Sequence, residues 1–380
     1  MIPYGRQQIS EDDIAAVDGV LRSDWLTQGP AVPAFEAALC ARTGARHAVA
    51  VSSATAALHL ACLAAGVGEG DQVWTSPNTF VASANCAMYC GATVDFIDID
   101  PYTLNIDIGL LAERLAVASQ CGSLPKAVIP VAFSGRSADM QALWQLAREY
   151  GFVVIEDASH AVGANYLGQP VASGEYADMT VFSFHPVKII TTAEGGAVLT
   201  NRREWADQLQ RLRSHGITRD PALMNSACEG EWYYQMLELG FNYRMTDLQA
   251  ALGLSQLQRL DVFLLRRRQL ARRYTALLAD LPLILPPPSE ESAWHLYVVQ
   301  LADASRRKAI FTELRARGVG VNVHYIPVHL QPYYQAQGFT RGYCPVAEAY
   351  YQRAITLPLH AGMTDAQQDE VVSVLKELLQ

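Results

Sequence analysis

"HAVAVSSATAALHLACLAAG", residues 47–66, decides the fold. A short valine-rich run reaches two serines and passes directly into a longer alanine- and leucine-rich run, the pattern of a buried strand followed at once by a helix. The change recurs between residues 47 and 200, in "QVWTSP" then "FVASANCAMYCG", "TVDFIDID", "AVIPVAF" then "DMQALWQLAREYG", and "FVVIEDA". Such alternation predicts βαβ units, and hence an α/β fold whose largely parallel, doubly wound sheet is covered by helices on both faces. Ligands of such sheets bind beyond the carboxyl ends of the strands. Three features fall there: Ser53 to Thr55, Asp157 and Lys188.

A chain of 380 residues is long for one hydrophobic core, so a large domain with a smaller companion is expected. Half of the residues are apolar, yet no uninterrupted apolar run approaches the roughly 18 residues of a membrane span. The N-terminal "MIPYGRQQIS" lacks a basic flank, an apolar core and a small-residue cleavage site, so the expected compartment is the cytoplasm. Seven cysteines, an odd number scattered through apolar segments, suit reduced thiols better than a disulfide framework. Cys86 and Cys90 would stack on one helix face, but no second Cys or His pair follows at zinc-ligand spacing, and no metal is expected. The formal charge is 29 − 38 = −9, which repels phosphate backbones unless a concentrated basic stripe overrides it. The one such stripe is "LLRRRQLARRY", residues 264–274. It lies in an amphipathic helical pattern, so a solvated or subunit-facing basic face is expected.

From Thr246 the chain reads "TDLQAALGLSQLQRLDVFLLRRRQLARRYTALLADL", which opens with a capping box, Thr246 with Gln249, and keeps an apolar stripe for many turns. One long connecting helix is expected. The prolines of "LPLILPPPSEES" cannot continue it. The predicted division is therefore a large domain over 1–260, a connecting helix and linker over 261–285, and a small α/β domain over 286–380. The last contains "WHLYVVQLA", a helix near 305–317, "VGVNVHY", and a final helix opened by a second capping box, Thr364 with Gln367.

Only four of the 29 basic residues are lysines: Lys126, Lys188, Lys308 and Lys376. Lys188 alone follows an apolar and aromatic run, in "FSFHPVKIITTAEGGAVLT", residues 182–200. An amine there loses hydration, its pKa falls, and it can attack a carbonyl or shuttle a proton; the bland alternative is a lysine whose stem packs while its head reaches water. Asp157 ends "FVVIED", where an anion can face a protonated ring nitrogen or simply cap a helix. The small hydroxyl residues around Ser53 to Thr55 open a helix whose N–H groups can hold a phosphate. Phe80, in "SPNTFVAS", can stack on a flat ring or fill a core. A phosphate cradle, an aromatic plate, an anion and an isolated lysine are together the requirements of pyridoxal 5′-phosphate.

The chain resembles the DegT/DnrJ/EryC1/StrS nucleotide-sugar aminotransferases, which are fold-type I pyridoxal-phosphate enzymes. The resemblance runs through "LTQGP", "SSATAAL", "NTFVASAN", "EDASHAVGA", "FSFHPVKIITTAEGGAVLTN", "RSHGI", "GFNYRMTDLQAALGLSQL" and "VHYIPVH". It implies a large domain with a mostly parallel seven-stranded sheet sandwiched by helices, and a smaller C-terminal α/β domain. It implies Lys188 as the Schiff-base lysine, Asp157 as the partner of the pyridinium nitrogen, Phe80 as the stacking ring and His160 as a neighbour of the cofactor's 3-oxygen. Ala54, Thr55 and Ser183 would hold the phosphate, with Asn242 arriving from a second subunit, so a homodimer with shared active sites is implied. Thr27 and Gln28 in "WLTQGP", with His215, His324, Tyr325 and His329, would border the sugar-nucleotide pocket. Where relatives have Gln, this chain has His160.

The implied reaction moves the amino group of L-glutamate to a nucleotide-linked keto sugar. "MIPYGRQ", "FSFHPVKIITTAEGGA" and "LGLSQL" are most similar to the family branch acting at C4 of UDP-2-acetamido-2,6-dideoxy-β-L-arabino-hexos-4-ulose in pseudaminic acid biosynthesis. Arg244 is a candidate for the glutamate carboxylate. Related sugar dehydratases carry histidine in place of the lysine, so Lys188 points to transamination. Two alternatives stay open: a C3- or C4-keto sugar on another nucleotide, and a non-catalytic regulatory protein on the same fold. The second would need a basic surface or a helix-turn-helix.

Overall fold

The serines after the opening strand act as their chemistry requires. In the computed structural model, which describes residues 1–380, Ser53 is extended and its hydroxyl accepts the N–H of Ala56, so the chain leaves strand β1 (His47–Val51) and enters helix α3 (Ala54–Ala64) without an intervening loop. Helices α1 (Glu11–Leu21) and α2 (Ala31–Thr43) precede them. There follow β2 (Gln72–Thr75), α4 (Ala82–Tyr89), β3 (Thr93–Phe96), α5 (Ile108–Cys121), β4 (Ala127–Ile129), α6 (Met140–Tyr150) and β5 (Val153–Asp157). A small hairpin, β6 (Asn165–Tyr166) and β7 (Gln169–Pro170), leads to β8 (Met179–Ser183), β9 (Gly196–Thr200) and α7 (Arg203–Leu212).

The seven strands lie in the order β1-β9-β8-β5-β4-β2-β3. Only β9 runs against the others, since it pairs antiparallel with both β1 and β8 while the remaining pairs are parallel. Successive residues of each strand alternate between two cores. Val49, Val73, Ile129, Ile155 and Val181 pack under α3, α4 and α7. Ala48, Ala50, Phe182 and Leu199 pack on the other face with α2 and the 245–264 region, and Trp74, Val128 and Val154 with α5 and α6. A strand covered on both faces has no polar position to spare, which is why these runs read as continuously apolar.

The rest of the chain forms a hairpin, β10 (Ile217–Thr218) with β11 (Gln235–Met236), then α8 (Asp247–Gln258) and α9 (Leu260–Leu278). A second, antiparallel sheet orders β12 (Leu283–Ile284), β13 (Tyr297–Leu301) and β14 (Ala354–Leu357). Around it lie α10 (Arg307–Ala316), α11 (Pro332–Gln335), α12 (Pro345–Arg353) and α13 (Asp365–Leu379). Both capping boxes form, Thr246 with Gln249 and Thr364 with Gln367.

The single long helix does not form. Arg259 leaves helical geometry, with φ −100° and ψ 4°, and its guanidinium is drawn to Asp13 of α1 and the carbonyl of Gln8. The two halves serve different cores: α8 packs on α1 and α2, whereas Leu270, Tyr274 and Leu278 of α9 join Tyr297, Val299 and Ile355 of the second sheet. Nor is the arginine stripe a free basic face. Arg266 pairs with Asp365, Arg272 with Glu290 and Arg273 with Asp369. Arg268 donates to the Ser292 carbonyl. Arg267 is fully buried and donates to the carbonyls of Trp294, His295 and Leu359. The five arginines fasten α9 to the second sheet and its approaches.

Candidate active site

A cleft of about 570 Å³ opens beyond the carboxyl ends of β1, β5 and β8, and is closed from the other side by Tyr4 and the 322–325 segment. Its volume is ordinary for a site that encloses a small ligand. Asp157 ends β5 almost wholly buried, and its two carboxylate oxygens are held separately: Oδ2 by the Ser83 hydroxyl at 2.6 Å, Oδ1 by the Ser159 N–H at 3.1 Å. The Thr79 hydroxyl lies 2.7 Å from that of Ser83 and extends the network. A carboxylate so fixed points in one direction and remains available to a cation in the cleft.

Lys188 follows β8 in a tight turn whose N–H donates to the carbonyl of His185 at 2.9 Å. Ile189 and Ile190 behind it are core residues. The Lys188 amine has no salt-bridge partner. Burial lowers its pKa from the ordinary 10.5 to about 8, and the charge of Asp157 only partly opposes that. A fraction of the amine is therefore unprotonated and nucleophilic near neutral pH. Burial first, and then the Lys188 charge, push His160 well below its ordinary value and His324 down to about 3. Both histidines are neutral in the folded protein.

At the first strand-to-helix corner, Ala54 and Thr55 open α3 and line the cleft with Ser183. Ser53 caps only Ala56, so the first N–H groups of the helix stay free for an anion. The packing under this corner depends on Gly196 of β9, where a Cβ would sit 2.6 Å from the Ala54 nitrogen. Phe80, 59% exposed, lines the cleft from the β2–α4 corner.

The fold thus brings together Lys188, Asp157, Phe80, His160, Ala54, Thr55, Ser183, His324 and Tyr325. It does not bring in the others. Thr27, Gln28, His215 and Asn242 are exposed on loops and edges of the same chain and do not line the cleft. His329 is fully buried, with Nε2 2.9 Å from Glu348 Oε1 and its ring against Phe96, so it has no surface to offer a sugar. It packs inside a turn, Val328–Leu330, that a motif reading cannot distinguish from a pocket wall. Sequence reasoning missed Ser83, Ser159, His295, Asn322 and Tyr4. Ser83 was within reach, since it stands in the first turn of α4, immediately after the corner that carries Phe80. A lone histidine in the apolar "WHLYVV" marks His295. Tyr4 carries no local signal and reaches the cleft only through the pairing of Ile2 with Val319.

The residues fit pyridoxal 5′-phosphate: an unpaired, half-buried amine, a fixed carboxylate, an open helix N-terminus seated on a glycine, and an aromatic face share one cleft. Residues 7–376 match the DegT/DnrJ/EryC1/StrS aminotransferase family. The chain belongs to that family. It is 40% identical to the spore coat polysaccharide biosynthesis protein SpsC of Bacillus subtilis, covering 100% of this chain and 97% of that protein. Among solved structures it is similar to Helicobacter pylori PseC, an aminotransferase involved in pseudaminic acid biosynthesis, with TM-score 0.91 and 30% identity over 100% and 99% of the two chains. It is also similar to the pyridoxal-phosphate form of the sugar aminotransferase Spr1654 of Streptococcus pneumoniae, with TM-score 0.89 and 32% identity over 100% of both chains.

The protein is accordingly a pyridoxal-phosphate-dependent sugar aminotransferase with the mixed α/β fold of its relatives. When bound, the cofactor supplies an electron sink for carbanion chemistry at the amino-bearing carbon. This chain supplies the rest. Lys188 would hold the cofactor's aldehyde and then carry a proton, and Asp157 would keep the ring nitrogen protonated. Ala54, Thr55 and Ser183, which line the cleft together, would hold the cofactor's phosphate.

Proposed function

We propose that the amino donor is L-glutamate and the acceptor is the C4 ketone of UDP-2-acetamido-2,6-dideoxy-β-L-arabino-hexos-4-ulose, the reaction of pseudaminic acid biosynthesis. We propose also that the enzyme works in the cytoplasm as a homodimer in which each active site draws Asn242 from the partner. The observation that carries the dimer is a shortage of cations: no arginine lines the cleft, and Lys188 is its only lysine. A nucleotide diphosphate and a glutamate carboxylate both need positive charge. The 241–245 segment offers exposed Asn242 and, two residues on, half-buried Arg244, which makes no salt bridge in its own chain. Exposed Trp232, Met236 and Leu239 sit on the neighbouring hairpin, as expected of a surface that meets a partner. Thr27, Gln28 and His215 belong to the same reading. So does the division into 1–260, 261–285 and 286–380, with α9 and its arginines as the joint.

The choice of sugar is supported by the similarity to PseC and by the neutral polar groups opposite Lys188. Tyr4, Asn322 and His324 offer hydroxyl, amide and imidazole to a sugar's polar edge, and such groups reject analogues that leave them unpaired. The test is a panel of nucleotide-linked keto sugars assayed with L-glutamate. The UDP-linked N-acetyl 4-ketone should turn over fastest, and faster turnover of a dTDP-linked ketone would overturn the assignment. Mixing inactive Lys188→Ala with Asn242→Ala chains should restore activity in mixed dimers, because one site then has both residues. No restoration would show that the sites are not shared.

A further inference from the structure

Neither ring nitrogen of His160 is open to the cleft. Nε2 lies 3.1 Å from the Tyr325 hydroxyl, and Nδ1 is buried with no partner. The rings of His295, 4.4 Å between centroids, and Phe133, 6.3 Å, enclose the imidazole. The Tyr325 ring lies nearly parallel to it, at 6.1 Å. Both residues line the cleft, but the nitrogens of His160 are engaged or enclosed, so a ligand there finds the polar group of this pair at the Tyr325 hydroxyl.

Two arrangements of protons satisfy the 3.1 Å contact. If the hydroxyl donates to Nε2, the imidazole proton sits on Nδ1 as a buried N–H with no acceptor, and the hydroxyl has nothing left to donate. If Nε2–H donates to the hydroxyl oxygen, Nδ1 carries only a lone pair and the tyrosine proton is free for the cleft. Orphaned buried N–H groups are the rarer and costlier defect. Burial holds His160 neutral and raises the Tyr325 hydroxyl well above its ordinary value, so both groups keep the protons this arrangement needs.

We propose that Tyr325 donates a hydrogen bond to the phenolic oxygen of the bound cofactor, and that His160, as the Nε2–H tautomer, is a positioning residue acting through that hydroxyl. The inference rests on pyridoxal 5′-phosphate occupying the cleft and is independent of which sugar is used. A rigid ring with one outward N–H fixes the direction of the hydroxyl it holds.

The experiment measures binding, not turnover. In a Lys188→Ala background, where the cofactor binds without a covalent link, Tyr325→Phe should weaken pyridoxal 5′-phosphate binding by about tenfold, the loss of one hydrogen bond to a charged acceptor. It should also move the phenol's titration, followed by absorbance, to higher pH. His160→Leu should do the same, and the double variant should be no worse than Tyr325→Phe alone, because the two act in series. Additive losses, or unchanged binding and titration in Tyr325→Phe, overturn the proposal. Nitrogen NMR of the cofactor-free protein, with the His160 signals identified by their loss in His160→Leu, should show a pyrrole-type Nε2 and a pyridine-type Nδ1. The reverse pattern overturns the tautomer. None of these readouts involves a sugar, so failure of the substrate assignment leaves them unaffected.

Discussion

Replacing Lys188 by methionine should abolish transamination and yet stabilise the cofactor-free protein below pH 8. The folded-state pKa is about 8 against an ordinary 10.5. At about 1.4 kcal/mol per pKa unit this difference is a cost of roughly 3 kcal/mol for folding around a charged amine. The amine faces a cleft that water enters, so a net effect of about 2 kcal/mol is the better expectation. Below pH 8 the lysine is charged in both folded and unfolded chains, and the cost is fully present. Between pH 8 and 10.5 the folded chain releases its proton first and the cost shrinks. Above that range both states are neutral and it vanishes. Methionine matches the stem's length and carries no charge, so it isolates the electrostatic part. At a fixed protein concentration, thermal unfolding of cofactor-free Lys188→Met should lie a few degrees above wild type at pH 7, with the gap closing by pH 10.5. A variant no more stable than wild type at pH 7, or a gap that ignores pH, would refute the reasoning. In that case the amine is solvated and its reactivity needs another explanation. The sign matters because it identifies a site that holds an unfavourable arrangement for the sake of its chemistry.

Asp157→Asn should keep the fold and largely lose transamination, since an amide does not hold the ring nitrogen protonated; near-normal turnover would remove Asp157 from that role. Gly196→Ala should weaken cofactor binding by about tenfold or more, because its Cβ falls 2.6 Å from the Ala54 nitrogen and displaces the start of α3. Equilibrium dialysis with unchanged affinity would show that the corner does not hold the phosphate. Arg267→Met should destabilise by about 2–4 kcal/mol, as three buried carbonyls of Trp294, His295 and Leu359 lose their donor. An unshifted urea midpoint would count against the clamp.

The alternation of β-type runs with helical runs was enough to define the parallel sheet, because a strand covered on both faces must be apolar throughout and a helix must follow it to cover it. Lys188 was legible for a related reason: a lone lysine among apolar residues is conspicuous in a chain with four lysines. Capping boxes were legible too, being local hydrogen bonds between residues three apart. What the sequence left open depends on contacts between segments that no local pattern links, most of them more than a hundred residues apart. Only the folded chain seats Gly196 beneath Ala54, brings Tyr325 to His160, and buries His329 against Glu348 while its neighbour His324 lines the cleft. The break at Arg259 belongs with these. Its cause is a carboxylate on α1, 246 residues earlier, drawing the guanidinium away at the point where two cores pull one amphipathic pattern in different directions. Periodicity records that a face is apolar and is silent on which surface it meets; that choice is made by tertiary packing.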